Sequence, residues 1–234
     1  MRRSGNTYDE LLMKKQSTKI IACATIIEEM KPFLPHDIEY REMKPGLHLH
    51  ADKLKGELQD IIDEITVDTT TIILGYGLCS KAVIGLKAEN STLIIPRVDD
   101  CIAMFLGSQE IYKTQLKKEP GTYFLSRGWI HAGITLIEEL KRIEVRFGKR
   151  GAEIVKKRML REYKRLAYID MGHDNQERYR DFARRAAQEL GLYYEEINGT
   201  TELIKQMPKG PWDDKFIVAP PGYVISFDDF KMRD

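Results

Sequence analysis

The feature that most constrains the fold of this sequence is an alternation of short apolar runs with longer amphipathic stretches. After a polar arm at residues 1–18, the runs are rich in β-branched and aromatic residues, and several are apolar on both faces. That pattern is typical of strands in a parallel sheet covered by helices on both sides. We therefore expect an α/β fold with open, mostly parallel sheets. The eight runs are Lys19–Cys23, Ile38–Arg41, Thr71–Gly75, Thr92–Pro96, Thr122–Leu125, Leu166–Asp170, Tyr193–Ile197 and Phe216–Ala219.

Helical patterns lie between these runs. The segment Ile134–Arg165 carries no strand signal and predicts one long helix, or two joined at Gly148 or Gly151. We expect it to connect two Rossmann-like lobes. The predicted ranges are 19–133 for a first lobe with the cysteines, 134–165 for a helical connector and 166–234 for a second, smaller lobe. The other predicted helices are Leu54–Ile65, Cys79–Lys87, Cys101–Gln115 and Gln176–Leu190.

The predicted connector is strongly basic. Between Lys141 and Arg165 there are eleven Lys and Arg residues against three Glu residues. A positive helical face can bind nucleic acid or another anion. No nucleic-acid motif or cluster of stacking aromatics accompanies the charge, so we favour a solvated connector and expect no nucleic-acid partner.

Cysteine usage and the N-terminal sequence bear on the cellular compartment. Three cysteines are too few for a disulfide framework in a chain of 234 residues, and an odd number cannot all pair internally. The N-terminal residues lack the apolar core of a signal peptide, and no apolar window is long enough to cross a membrane. We expect a cytoplasmic protein with reduced thiols and no membrane partner.

All three cysteines fall where an apolar run ends and a helical pattern begins. Cys23 ends the first run, Cys79 follows the third and Cys101 follows the fourth. In an open parallel sheet such junctions share the carboxyl edge, so the thiols converge there if these strands are neighbours. A single strand-end cysteine is more often a small buried core residue, but three equivalent placements favour a metal site. Three thiolates with one open position suit an iron–sulfur cluster (4Fe-4S) or a zinc ion.

Further polar residues follow other predicted strands at the same kind of junction. His48 and His50 form another potential ligand pair, although surface histidines are more common than ligands in such a pattern. The incomplete glycine pattern Gly75-x-Gly77 argues against a dinucleotide fingerprint. For positioning or protonating a substrate we select Arg97, Asp100, His131 and His173. For cofactor binding we select Gly77, Ser80, Arg127 and Trp129.

Several strings give the chain a family resemblance. It resembles an uncharacterised bacterial and archaeal family catalogued as domain of unknown function 1638, over about Lys19 to Tyr223. That family is often encoded beside corrinoid-dependent methyltransferases in anaerobes, which implies a role near methyl transfer or its reductive activation. The corrinoid-binding Asp-x-His-x-x-Gly string is absent. The strings are Ala22-Cys23, Tyr76–Ser80 (YGLCS), Pro96–Ile102 (PRVDDCI), Leu106–Ser108, Pro120–Tyr123 and Gly128-Trp129.

Together these observations predict a protein that binds an iron–sulfur cluster through Cys23, Cys79 and Cys101. The expected role is redox or small-molecule chemistry linked to one-carbon or corrinoid methyl-transfer metabolism, with a small-molecule substrate. A zinc-thiolate, methyltransferase-like enzyme is one alternative. Another is a non-enzymatic module that binds a corrinoid protein. Each of these hypotheses is compatible with a corrinoid protein or methyltransferase as a partner. Each is also compatible with a homo-oligomeric state.

Overall fold

The strands of this protein form two separate sheets. A computed structural model describes residues 17–44, 46–47 and 50–231. The described part contains eight strands: β1 (Thr18–Cys23), β2 (Glu39–Met43), β3 (Thr71–Gly75), β4 (Thr92–Pro96), β5 (Thr122–Ser126), β6 (Arg165–Asp170), β7 (Tyr193–Asn198) and β8 (Phe216–Ala219). Sheet A has the order β2-β1-β3-β4-β8, and sheet B has the order β5-β6-β7. All pairings are parallel except that of β8 with β4, which confirms the predicted mostly parallel α/β fold.

Helices surround both sheets. They are α1 (Ala24–Met30), α2 (Ala51–Ile65), α3 (Cys101–Leu106), α4 (Gln109–Lys118), α5 (Arg127–His131), α6 (Leu136–Met159), α7 (Glu177–Leu190) and α8 (Glu202–Gln206). Short 3-10 turns occur at Lys31–Phe33, Cys79–Lys81 and Phe227–Phe230. Among the described residues, no helix combines the length and apolar character that crossing a bilayer requires.

Two of the predicted helices are wrong in detail. The helix expected over Cys79–Lys87 is replaced by a 3-10 turn and further turns, since Cys79 and the next two residues have positive φ. A right-handed helix cannot run through left-handed residues. The helix expected over Cys101–Gln115 is broken at Gly107, whose φ of 85° ends α3 as a left-handed cap.

The long helix predicted after the first five strands is present and bent. Within α6, Gly148 has φ 72° and ψ 170°, so the helix changes direction at one of the two glycines named as potential junctions. Its N-terminal half buries Ile137 and Leu140 against the outer face of sheet B. Val145, beyond those two residues, is 91% exposed. The buried residues of the helix are thus confined to its first two turns.

Two strands lie apart from their neighbours along the chain. β5, which falls in the predicted range 19–133, lies in sheet B, and β8, from the predicted range 166–234, pairs with β4 in sheet A. The C-terminal segment therefore returns to the sheet with which the described chain begins.

The main hydrophobic core joins the two sheets. It contains Ile20, Ile73 and Ile94 of sheet A together with Ala167 and Ile169 of sheet B, all fully buried. Helix α1, which follows β1, packs on α5, which follows β5, and α3 packs on α8. Because each of these helices starts at the carboxyl end of a strand or soon after it, the carboxyl edges of the two sheets meet. Residues that follow the strands of either sheet are thereby brought together.

Candidate functional site

The three cysteines follow three adjacent strands. β1, β3 and β4 are neighbours in sheet A. The predicted convergence of the thiols requires this strand order. Cys23 is the last residue of β1 and the N-cap of α1, and Cys101 is the first residue of α3. Cys79 opens the 3-10 turn after β3. All three therefore lie at the carboxyl edge of one sheet. They are free thiols, and because they are half-buried they remain partly accessible.

The loops that carry Cys79 and Cys101 are joined by main-chain hydrogen bonds. The N–H groups of Leu78 and Cys79 donate to the carbonyl oxygens of Val98 and Asp99, each over 2.8 Å. A Cβ atom at Gly77 would lie 2.4 Å from the Val98 oxygen, so only glycine permits this approach. Gly77, selected from the sequence for cofactor binding, therefore serves the close packing of the two cysteine loops.

The backbone at Cys79 is strained. Cys79, Ser80 and Lys81 have φ values of 43°, 58° and 69°, a run of three left-handed residues without a glycine. Each such residue costs about 1–2 kcal/mol, and the surrounding contacts must hold it in place. Strain of this kind concentrates at functional sites. Ser80, another residue selected for cofactor binding, is exposed in the middle of this run.

The thiols influence one another electrostatically. Burial raises the pKa of Cys79, and the nearby Cys23 and Asp100 raise it further. Burial also raises the pKa of Cys101 well above its usual value, with added contributions from Cys23, Cys79 and Asp100. The phenol of Tyr76 responds to burial and then to all three thiols, which raise its pKa. The three sulfur atoms therefore share one poorly solvated region, where a negative charge on any of them is unfavourable without a cation.

Cys23 has the most favourable surroundings for a thiolate. Burial raises its pKa, while the backbone N–H groups of Thr25 and Ile26 at the start of α1 oppose that rise. Hydrogen-bond donors aimed at a cysteine sulfur are among the features that tune iron–sulfur clusters.

Three cysteine sulfur atoms are suitable ligands for a thiolate-bound metal group, but in the described residues they do not converge on a common centre. Across the ranges 17–44, 46–47 and 50–231, no group of three or more His, Cys, Asp and Glu side chains is arranged to hold a metal ion. The strands fix the backbones of the cysteines. Convergence of the sulfur atoms on one centre would therefore come from rotation about χ1 between staggered positions.

Asp100 and Arg97 make structural contacts. The Asp100 carboxylate caps α3, accepting hydrogen bonds from the N–H groups of Ile102 and Ala103 over 2.9 and 3.2 Å. Burial raises its pKa. The Arg97 guanidinium donates to backbone carbonyls in the C-terminal segment, among them that of Phe216 over 3.1 Å. Asp100 thus positions Cys101 and Arg97 holds β8 against β4, while catalytic roles for both stay predictions.

His131 and His173 each contact a glutamate on α1 that the sequence analysis did not select. His173 Nε2 is hydrogen-bonded to Glu29 Oε2, and Glu29 has no exposed side-chain surface. His131 Nε2 lies 3.4 Å from Glu28 Oε2. A signal for Glu29 existed, because it lies three residues after Ile26 and therefore on the buried face of the helix. These pairs connect α1 beside sheet A to the carboxyl edge of sheet B.

A large cavity of about 1240 Å³ is lined by the segment after β2, by residues of α3 to α6 and by the first half of β5. Ile102, the residue after Cys101, forms part of its wall, and Trp129 of α5 forms another part. The Trp129 ring packs edge-on against Phe105, with ring centroids 5.5 Å apart. His50 also lines the cavity, while His48 lies outside the described residues, so the potential ligand pair stays a prediction. The aromatic wall residues are Tyr112, Tyr123, Phe124, Trp129 and Tyr163.

Comparison with known protein families shows where this chain belongs. The family model described as "Protein of unknown function (DUF1638)" matches residues 42–207, which include Cys79 and Cys101 and begin after Cys23. No curated protein and no solved structure matches the sequence. Because the match covers more than half of the chain, the protein belongs to the DUF1638 family.

Proposed function

We propose that Cys23, Cys79 and Cys101 bind a [4Fe–4S] cluster that keeps one iron open, and that a small molecule reacts at that iron. The observation that carries the proposal is the placement of three half-buried thiols at the ends of three adjacent strands, where Cys23 raises the pKa of both Cys79 and Cys101. Such a cluster supplies one-electron redox chemistry and a Lewis-acid position for a substrate oxygen or nitrogen.

The surroundings of the thiols support a positively charged occupant. Three neutral thiols and the Asp100 carboxyl group share this edge, and ionising the thiols would place several negative charges together. Iron ions compensate such charge, which is why a coordinating thiol is deprotonated even where burial opposes it. The strained backbone at Cys79 fixes one ligand in advance.

The cavity lined by Ile102 and Trp129 supports a small-molecule substrate. Its wall combines aromatic rings with charged groups, so it suits a ligand with an apolar body and polar substituents. Ile102 places this cavity next to Cys101 along the chain. A role in one-carbon or corrinoid methyl-transfer metabolism, which the family resemblance implies, is part of the proposal. So is a cytoplasmic location, which the N-terminal sequence and the cysteine usage favour.

The test is the metal and sulfide content of the full chain purified without oxygen. We expect about four iron and four sulfide ions per chain and broad absorption near 400 nm. Single Cys23→Ser, Cys79→Ser and Cys101→Ser variants should each lose most of both. Circular dichroism of the variants shows whether the fold survives the substitution.

The alternatives give different results in the same experiment. One zinc ion per chain without sulfide would overturn the cluster and support the zinc-thiolate enzyme. A colourless protein that takes up neither metal after anaerobic reconstitution would overturn both. Co-purification with a corrinoid protein that persists in all three variants would point to the non-enzymatic binding module.

A further inference from the structure

We propose that a second site, separate from the cysteines, binds a small oxyanion group, a carboxylate or phosphate, carried by a small-molecule ligand. The site is an open cavity of about 670 Å³ at the carboxyl edge of sheet B. Arg127, which follows β5, and His173, which follows β6, both line it. Arg127 and Trp129 are two residues apart on α5, so this cavity and the larger one lie on different faces of that helix.

His173 is held in place by a buried carboxylate. Glu29 Oε2 is hydrogen-bonded to His173 Nε2, and Glu29 Oε1 accepts a hydrogen bond from the Gly128 N–H over 2.8 Å. The His173 side chain is 10% exposed and that of Glu29 is fully buried. The carboxylate therefore orients the imidazole ring, while the ring reaches the cavity wall.

The arginines at this cavity provide the charge that an oxyanion needs. Within the described residues, Arg127 makes no hydrogen bond or ion pair, and its guanidinium carbon lies 5.9 Å from the centroid of the Tyr179 ring. The Arg178 guanidinium carbon lies 4.5 Å from the centroid of the same ring, and the guanidinium donates a hydrogen bond to the Tyr179 hydroxyl. The Arg127 guanidinium lines the cavity and has no hydrogen-bond acceptor in the described residues. Such a group is suited to bidentate binding of a carboxylate or phosphate.

The remaining charges leave the cavity positive. Glu177 lines it but is paired with Arg184 over 2.8 Å and with Arg180 over 3.5 Å. Asp174 is the other carboxylate of the wall, and it is exposed. Two arginines therefore face one uncompensated carboxylate.

The test uses the full chain with ¹³C-labelled histidine and two probes, inorganic phosphate and acetate, titrated separately at constant ionic strength. The ring signal of His173 is assigned among the five histidines with the variant His173→Asn. We expect at least one anion to shift this signal in a saturable way. Arg127→Gln and Arg178→Gln should each weaken that binding about tenfold or more, because each removes a charge-assisted hydrogen bond.

The matched control is Arg41→Gln, which removes the same charge from an exposed ion pair between Arg41 of β2 and Glu64 of α2. The affinity of the Arg41→Gln variant for each anion should equal that of the unmodified protein. Saturation by phosphate alone would identify a phosphorylated ligand, and saturation by acetate alone a carboxylate ligand. The proposal is overturned if neither anion gives a saturable shift, or if Arg41→Gln weakens binding as much as a folded Arg127→Gln or Arg178→Gln. Neither result depends on the metal content of the cysteine site.

Discussion

The backbone N–H of Cys79 donates a hydrogen bond to the carbonyl oxygen of Asp99 over 2.8 Å. Through this bond the loop after β3 is fixed to the loop after β4, two residues before Cys101. The separation of the backbones of the two cysteines is therefore set by main-chain contacts. Substitutions that disturb the contact between the loops should disturb the site even when the cysteines are intact.

Gly77→Ala tests this dependence most directly. The new Cβ would lie 2.4 Å from the Val98 oxygen and 3.0 Å from the Asp100 nitrogen, so the loops must separate. We expect a loss of about 1–3 kcal/mol in the free energy of unfolding, measured in urea. We also expect reduced iron retention in protein purified without oxygen.

Gly56→Ala is the control for that experiment. Gly56 lies inside α2, and outside the backbone of that helix no atom lies within 4 Å of a new Cβ. Alanine there should stabilise the protein by about 0.5–1 kcal/mol and leave iron retention unchanged. A Gly77→Ala variant as stable as the unmodified protein would contradict the role given to Gly77.

Asp100→Asn should make the thiols more reactive. Asn caps a helix about as well as Asp, so α3 keeps its cap. The substitution removes the negative charge that helps to raise the pKa of Cys79 and Cys101. A larger thiolate fraction at pH 8 should raise the alkylation rate of metal-free protein by about threefold at both cysteines. Peptide mass spectrometry gives the rate at each position.

The matched variant is Asp99→Asn. It removes an exposed carboxylate one residue away, which is not among the groups that shift either thiol pKa. Its alkylation rates should match those of the unmodified protein. Equal rates in all three proteins would show that Asp100 does not control the thiols.

The metal-free protein should lose stability at alkaline pH. Burial raises the pKa of each of the three thiols in the native state, so the native protein retains protons that the unfolded chain releases. This contribution is fully present below the thiol pKa of the unfolded chain, about 8.5, and is lost as pH rises above it.

Urea unfolding between pH 7 and 10 measures this effect. Cys79→Ser should flatten the dependence, since serine does not titrate in that range. Tyrosines add to the loss only above about pH 10, as burial raises the pKa of Tyr123 to about 12. A free energy of unfolding that is constant from pH 8 to 10 would contradict the shared burial of the thiols.

Arg97→Gln should loosen the C-terminal segment. The guanidinium donates to the carbonyl oxygens of Asp214 and Phe216 over 2.9 and 3.1 Å and also to that of Asp229. Losing these charge-assisted bonds should lower the free energy of unfolding by about 2 kcal/mol. Hydrogen exchange should quicken at residues 215–230 more than elsewhere.

Arg41→Gln again serves as the comparison. Arg41 pairs with Glu64 at the surface over 3.2 Å, so its loss should change stability by less than about 0.5 kcal/mol. If Arg97→Gln has an equally small effect, the contacts of Arg97 do not hold the segment.

The strands were largely predictable from sequence because their signal is local. A buried parallel strand such as β3 is a short apolar run, and the run Thr71–Gly75 coincides with the strand. The antiparallel pairing of β8 with β4 was not predictable in this way. An apolar run records burial and contains no information on which strand lies beside it or in which direction.

The candidate site, like the strands, was predictable only where its signal is local in the sequence. Local sequence placed Cys23, Cys79 and Cys101 at strand ends, and the strand order brings those ends together. The bond between Glu29 and His173 joins positions 144 residues apart, and no local pattern pairs them. The left-handed turn at Cys79 was missed for a different reason, since cysteine seldom adopts positive φ and gives no turn signal.

The return of β8 to sheet A has a consequence for the order in which the protein can assemble during synthesis. Pro96 at the end of β4 pairs with Phe216 at the start of β8, and all of sheet B is translated between them. The edge of β4, a strand next to the cysteine loops, therefore stays unpaired until sheet B has left the ribosome. A nascent chain arrested after β7 would expose that edge to other chains, and a single cut between the sheets would leave sheet A without its last strand.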